Sequence, residues 1–282
     1  VRRLLIALCA VALTACGAPQ AGPSLKAGPS LTIGSAQDDA SLVTAHLYAA
    51  ALRHYGTGTR VEPTADPLAA LDAGEVAVVP GLTGRLLDRF QPEATARADE
   101  QVYRDMVSAL PEGIAAGDYT TAAEDKPALA VTESTVAELG GQDLLAVVRN
   151  CGEVRPGRVR GARTPATIGT CRLPAPRDFP DAAALVAAVK TGQVDAAWTT
   201  TASPGIPPDL VVLADSTSLV RAENVVPLYR RNTLGESQVL ALNEVAGVLD
   251  TAALADMRAR VRAGDDPAVV AGEWLAEHPL RD

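Results

Sequence analysis

ALDAGEVAVVPGLTG, residues 70–84, is the stretch on which the fold turns. A short helix over 67–73 stops at Gly74, an apolar strand over 75–79 follows, and the chain empties into Pro80-Gly81-Leu82-Thr83-Gly84 before a helix starts at Arg85. Helix, apolar strand and glycine-marked turn in that order describe one unit of a parallel sheet covered by helices, an α/β class. The unit recurs on both sides. Upstream, a strand at 31–34 runs into 35–39, and residues 40–55 carry Leu42, Val43, His46, Leu47, Ala50 and Leu52 at helical spacing, ended by Gly56 and Gly58. Residues 60–62 form a weak strand. Downstream, the pattern gives a helix over 100–110, a buried strand over 128–131, a helix opening at Thr132 or Ser134, and a loop-rich segment over 150–179. A helix over 181–191, strands over 194–198, 210–213 and 225–229, and helices over the last fifty residues follow.

The first residues, VRRLLIALCAVALTAC, place two arginines before an apolar run that ends in Leu13-Thr14-Ala15-Cys16. The run is too short for the ~30 Å of bilayer hydrocarbon, and its order of charge, apolar middle and small residues is that of a secretory signal over 1–15. Leu-Thr-Ala-Cys resembles a bacterial lipobox, which implies cleavage before Cys16 and a lipid on its thiol. Residues 16–30, rich in small residues, Gly and Pro, read as a tether. Without 1–15 the formal charge goes from -9 to -11, since Arg2 and Arg3 are the only charges lost. No basic patch replaces them, so nucleic acid is not an expected partner. The 22 arginines against three lysines (Lys26, Lys126, Lys190), with abundant alanine, point to a GC-rich, actinobacterial genome.

Cys9 leaves with the signal and Cys16 takes the lipid, so Cys151 and Cys171 remain as one pair in an oxidising compartment, and a disulfide between them is expected. No metal is expected there, because no His or carboxylate stands at ligand spacing beside them. Arg158, Arg160, Arg163, Arg172 and Arg177 surround this pair and form either a solvated basic loop or an anion site.

Several ordered segments between Leu31 and Leu280 resemble the glycine-betaine/osmoprotectant-binding (OpuAC-like) family of ABC-importer substrate-binding lipoproteins. Leu31-Thr32-Ile33-Gly34-Ser35 is similar to its first strand and ligand loop, the helix from Val43 to Gly56 to its "LGELYAxLLExxG", and residues 70–84 to its "ALxxGEIDIxPEYTGT". Residues 102–113 resemble its "VYxxVxxxL" helix, 187–195 its "ALxxGEVDVA", 210–215 its "DLVVLEDD", 249–254 its "LLDTEAM", and 267–275 its "DPEEVAxEFL". The resemblance implies a type II periplasmic-binding-protein fold: a first lobe from 31–127 and 222–282, a second from 128–221, and a ligand cleft between them.

Ligands of open α/β sheets sit beyond the carboxyl ends of strands. The expected ligand residues are therefore Ser35, Gln37 and Asp38 in the first loop, Leu82 and Thr83 in the second, and Trp198, Thr199 and Thr200 in the third. Asp38 and Asp39 also suit a helix cap, and Trp198 also suits a core position. The implied partners are a small polar solute, ABC permease subunits, and the membrane through the lipid on Cys16. Members that bind betaine or choline hold the trimethylammonium between aromatic faces. Here only 9 of 282 residues are Phe, Trp or Tyr, Leu82 stands at the "PEYTGT" tyrosine, Gly81 at its glutamate, and Glu124-Asp125-Lys126-Pro127 at the family's "NTY".

No cofactor and no enzymatic activity are expected. The histidines are His46, His54 and His278, none beside a nucleophile motif, and neither Gly-x-Ser-x-Gly nor a phosphate loop occurs. The alternative to solute transport is an envelope lipoprotein that keeps the binding fold as a protein or cell-wall interaction module.

Overall fold

The computed structural model describes residues 30–280; the expected signal, Cys16 and nearly all of the tether lie outside them. The chain builds two five-stranded sheets, each covered by helices on both faces.

The first sheet begins with β1 (Leu31–Ser35), α1 (Asp39–His54), β2 (Thr59–Pro63), α2 (Pro67–Ala73), β3 (Val78–Leu82), α3 (Thr83–Phe90), α4 (Asp99–Ser108) and β4 (Ile114–Ala116). The second sheet follows with β5 (Pro127–Thr132), α5 (Glu133–Leu139), α6 (Leu144–Arg149), β6 (Pro156–Val159), the two-strand hairpin β7 (Thr167–Ile168) and β8 (Cys171–Arg172), β9 (Arg177–Phe179), α7 (Ala182–Lys190), β10 (Ala196–Thr200) and β11 (Leu210–Val212). The chain then returns to the first sheet as β12 (Val225–Arg230) and closes with α8 (Glu236–Val248), α9 (Thr251–Ala263) and α10 (Pro267–Glu277). The strand orders are β2-β1-β3-β12-β4 and β11-β5-β10-β6-β9. The parallel α/β class expected from the sequence is present, with antiparallel β12 and β5 inserted where the chain changes sheets.

Aspartate starts most of these helices. Asp38, Asp66, Asp143, Asp181, Asp250 and Asp266 each stand at an N-cap and accept from a backbone N–H of the first turn, an interaction that contributes about 1 kcal/mol per helix. Much of the negative charge is thus fixed at helix starts, Asp38 included.

Side-chain alternation along the strands feeds two cores per sheet. In β3, Val78 joins Ile33, Leu47, Leu52, Leu242 and Val245 beneath α1 and the C-terminal helices, whereas Val79 joins Leu71, Leu87, Val102 and Met106 beneath α2, α3 and α4. In β10, Trp198 joins Leu129, Leu144, Val147 and Ile168, while Ala197 faces Phe179, Leu185 and Val189.

The third strand departs from the sequence reading in its bounds. Gly74 takes the left-handed conformation (φ 76°), and the N–H groups of Glu75 and Val76 fold back onto the Ala70 carbonyl, so residues 75–77 finish the turn. The strand therefore starts at Val78 and continues through Pro80, Gly81 and Leu82, which pair with Pro227, Val226 and Val225. Pro80–Leu82, expected as loop, is sheet, and α3 opens at Thr83 rather than Arg85. The segment 150–179, expected to be loop-rich, also contains four short strands whose Arg, Gly and Pro content hides any alternation.

Cys151 and Cys171 are disulfide-bonded, with Cα atoms 5.6 Å apart, and Cys171 lies in the second sheet's core. The bridge closes a loop of 20-residue separation, a constraint worth about 3 kcal/mol. The Cys151→Ser/Cys171→Ser double variant should therefore melt roughly 6–12 °C lower by calorimetry, at about 2–4 °C per kcal/mol for a chain of this size.

Candidate functional site

The chain crosses between the sheets twice, and the two crossings are hydrogen-bonded to each other. Glu124 and Asn224 form an antiparallel bridge, and the Asp125 N–H donates to the Glu223 carbonyl at 2.9 Å. The Asn224 side-chain amide donates to the Thr120 carbonyl at 2.9 Å. A third segment joins them: Thr201 exchanges backbone and hydroxyl hydrogen bonds with Glu124 and Lys126. One nitrogen of Arg258, from α9, reaches the Asp125 carboxylate at 2.9 Å and the Ala202 carbonyl at 2.7 Å. Asp125 and Arg258 are both largely buried, so this ion pair fixes geometry more than it adds net stability.

Of the cavities that open around these crossings, three, of about 500, 460 and 250 Å³, share Arg163 in their walls. The first is lined by Asp38, Asp66, Leu82, Arg85, Asp88 and Arg163, among others. The second is lined by Arg85, Arg97, Arg163, Arg221, Glu223 and a set of threonines. The third lies on the second sheet, against Trp198, Thr199, Thr200, Arg163 and Arg258. Arg163 lines all three, and Arg85 and Thr200 line two each. These are cavities between the ends of β1, β3 and β10, and the two larger are of the size that small-molecule sites have.

Of the expected ligand residues, Asp38, Leu82, Trp198, Thr199 and Thr200 line this space. Ser35 does not: it is fully buried, and its hydroxyl has no hydrogen-bond partner among the described residues. Gln37 is exposed and outside the cavity walls. Thr83 is fully buried, its hydroxyl accepting from the Asn224 N–H at 3.1 Å, so it serves the crossing and not the cleft. Trp198 is 5% exposed and packs in the second core, touching only the smallest cavity. No other aromatic residue lines the three cavities among the described residues. The other eight are held elsewhere: Tyr48 in the core beneath α1, with Tyr55 and Tyr229 packed against it, Phe90 against the core beneath α2, α3 and α4, Tyr103 against Tyr119, Phe179 under Arg177, and Trp274 on His278.

Two features were not legible in the sequence. Glu223, buried in the second crossing, accepts from the Arg85 N–H at 2.8 Å and so caps α3 from 138 residues away. Burial pushes its carboxyl up to about 7, reinforced by Asp125 and opposed by Arg85 and Arg221. The other is the distribution of partners among the cleft charges. Asp66 pairs with Arg89 at 3.0 Å, Asp88 with Arg221 at 3.4 Å, and Asp125 with Arg258. Arg85 and Arg163 have no side-chain hydrogen bond or ion pair among the described residues.

Residues 178–277 match the sequence model of a family described as the substrate-binding domain of an ABC-type glycine betaine transport system. A search of curated protein sequences gives no match. A glycine betaine/carnitine/choline ABC transporter structure superposes with a TM-score of 0.72 at 15% identity, covering 88% of this chain and 98% of the other. Apo YehZ from Escherichia coli gives 0.69 at 18% identity, covering 89% and 99%. An ABC-transporter choline-binding protein in complex with choline gives 0.51 at 16% identity, covering 89% of each. The fold is that of the type II periplasmic-binding proteins, two α/β lobes about a cleft.

Two expected outcomes follow from the crossing. Glu223 is held above its ordinary 4.5, so its contribution to stability is full below pH 4.5 and is lost as the pH rises to about 7, a loss of about 3 kcal/mol. Glu223→Gln keeps an acceptor for the Arg85 N–H, so it should match the parent's melting temperature at pH 5 and exceed it at pH 8. Gly84 has no room for a side chain: a Cβ there would lie 2.4 Å from the Ala222 carbonyl oxygen and 2.9 Å from the Glu223 carboxyl carbon. Gly84→Ala should lower stability by about 1–3 kcal/mol in urea denaturation, as overpacking does.

Proposed function

We propose that this chain is an extracytoplasmic solute-binding protein that captures a small polar solute between its two lobes and presents it to the permease subunits of an ABC importer. It is tethered to the outer face of the cytoplasmic membrane through a lipid on Cys16. The observation that carries this reading is the cleft: it takes its walls from both lobes, and those lobes are joined by two short crossings about which they can hinge. The family match over residues 178–277 and the whole-chain likeness to transporter binding proteins support it.

Capture needs no chemistry on the ligand. His46 lies on α1, His54 beside Tyr55, and His278 on Trp274, all outside the three cavities. This supports a non-enzymatic reading. The α3 N-terminus, where a ligand would otherwise find free N–H groups, is occupied by Glu223. That observation favours a second reading, in which the fold is kept as an interaction module of the cell envelope.

A thermal-shift screen separates the two. Solutes tested are quaternary amines, amino acids, polyamines, sugars and carboxylates, because binding to the native state alone raises stability by about 2.7 kcal/mol at a hundredfold excess over Kd. A rise with one solute that disappears in Thr200→Val supports capture. No rise with any solute supports the interaction module.

A further inference from the structure

We propose that the cleft selects an anionic, hydroxyl-bearing solute whose oxyanion bridges Arg85 of the first lobe and Arg163 of the second, and that it does not hold a quaternary amine. The inference rests on the solute-binding reading and names the ligand class of that same site. Three observations converge on it.

The first is charge. The cavity of about 460 Å³ is lined by four arginines, Arg85, Arg97, Arg163 and Arg221, against two carboxyls, Asp88 and Glu223. Arg221 is tied to Asp88 and to the Ala94 and Ala96 carbonyls, and Arg97 reaches the Gly169 carbonyl at 3.4 Å. Glu223 is held toward its neutral form by burial. In the adjoining cavity the carboxyls are committed as well: Asp66 to Arg89, Asp125 to Arg258, and Asp38 to the start of α1. Arg85 and Arg163 are the cleft arginines whose side chains make no hydrogen bond or ion pair among the described residues, although the Arg85 charge also acts on the buried Glu223 carboxyl, and each lines both of the larger cavities.

The second is the donor set beside them. Thr95, Thr164, Thr167 and Thr200 line the same cavity. Guanidinium forks match planar or tetrahedral oxyanions, and hydroxyls complete the coordination of a hydroxylated solute. The third is what a cation would need: aromatic faces in the walls. The two larger cavities contain none, and Trp198, at the smallest, is spent on the core.

The arrangement also couples binding to closure. Like charges carried by opposite lobes oppose their approach, and a bound anion turns that repulsion into attraction on both sides. A cationic ligand would add to the repulsion.

Titration calorimetry with sodium tartrate, glycerol 3-phosphate, choline and glycine betaine tests this on the parent chain and on Arg85→Gln, Arg163→Gln and, as a control outside the cleft, Arg177→Gln. Both cleft arginines are exposed, so the variants should keep the parent's melting temperature. The expected result is binding of tartrate or glycerol 3-phosphate that weakens with added salt, falls roughly tenfold or more in each cleft variant, and is unchanged in Arg177→Gln. Preference for tartrate identifies a carboxylate site, and preference for the phosphate ester a phosphate site. Choline or glycine betaine binding tighter than either anion, with affinity indifferent to both cleft variants, overturns the inference and leaves the solute-binding reading standing. Binding only of a neutral solute from the wider screen overturns it in the same way, whereas no binding of any solute removes the solute-binding reading itself.

Discussion

The two chain crossings are the constraint on which the rest of the molecule depends. A chain that leaves one sheet and returns to it must bury two extended segments side by side, and their polar groups must be satisfied there. Thr120, Asp125, Glu223 and Asn224 are the buried polar residues that meet this need. They bond to one another, to Thr83 at the start of α3, and to Arg258 from the C-terminal helices. Each lobe is thereby clamped where the chain enters and leaves it, and the ends of β1, β3 and β10 are brought around one space.

This clamping sets the electrostatics of the cleft. Carboxylates that could have met a cationic ligand are drawn into structural service: Asp38 and Asp66 as caps, Asp125 in the buried ion pair, Glu223 over α3. The chain is acidic as a whole, with a formal charge of -9, yet apart from Asp38 the exposed charges that face its cleft without an ion-pair partner are positive. Net charge and site charge differ because the acids are spent where the backbone needs acceptors, while two arginines are left facing the solvent of the cleft.

The alternation of helix and strand was readable because each element has its own period and its own punctuation: the apolar face of α1, the aspartate before it, the glycine after α2. The disulfide followed from counting cysteines. Bounds failed where backbone geometry outweighed composition, as at Gly74, whose left-handed turn displaced β3 and moved Pro80, Gly81 and Leu82 from loop into sheet. The cleft was legible only in part. Strand ends point to Leu82, Thr199 and Thr200 without further information, but that Ser35 and Thr83 turn inward depends on how the crossing packs against them. Glu223 with Arg85, and Asp125 with Arg258, meet across 138 and 133 residues, and no local pattern announces either pair. Arg163 was visible as one of five basic residues around the cysteine pair, and only the fold separates it from Arg158, which pairs with Asp178, and from Arg177, which covers Phe179.

The central claim is that solute binding draws the two lobes together about the crossings. Its most direct test is energy transfer between dyes attached to cysteines at Glu93, in the first lobe, and Ala166, in the second, both exposed beside the cleft. Titration with carboxylates, phosphate esters, amino acids and quaternary amines should give a saturable rise in transfer with at least one of them, at the concentration where that solute also raises the melting temperature. A solute that raises the melting temperature while transfer stays constant would contradict the account, since binding would then leave the lobes where they are.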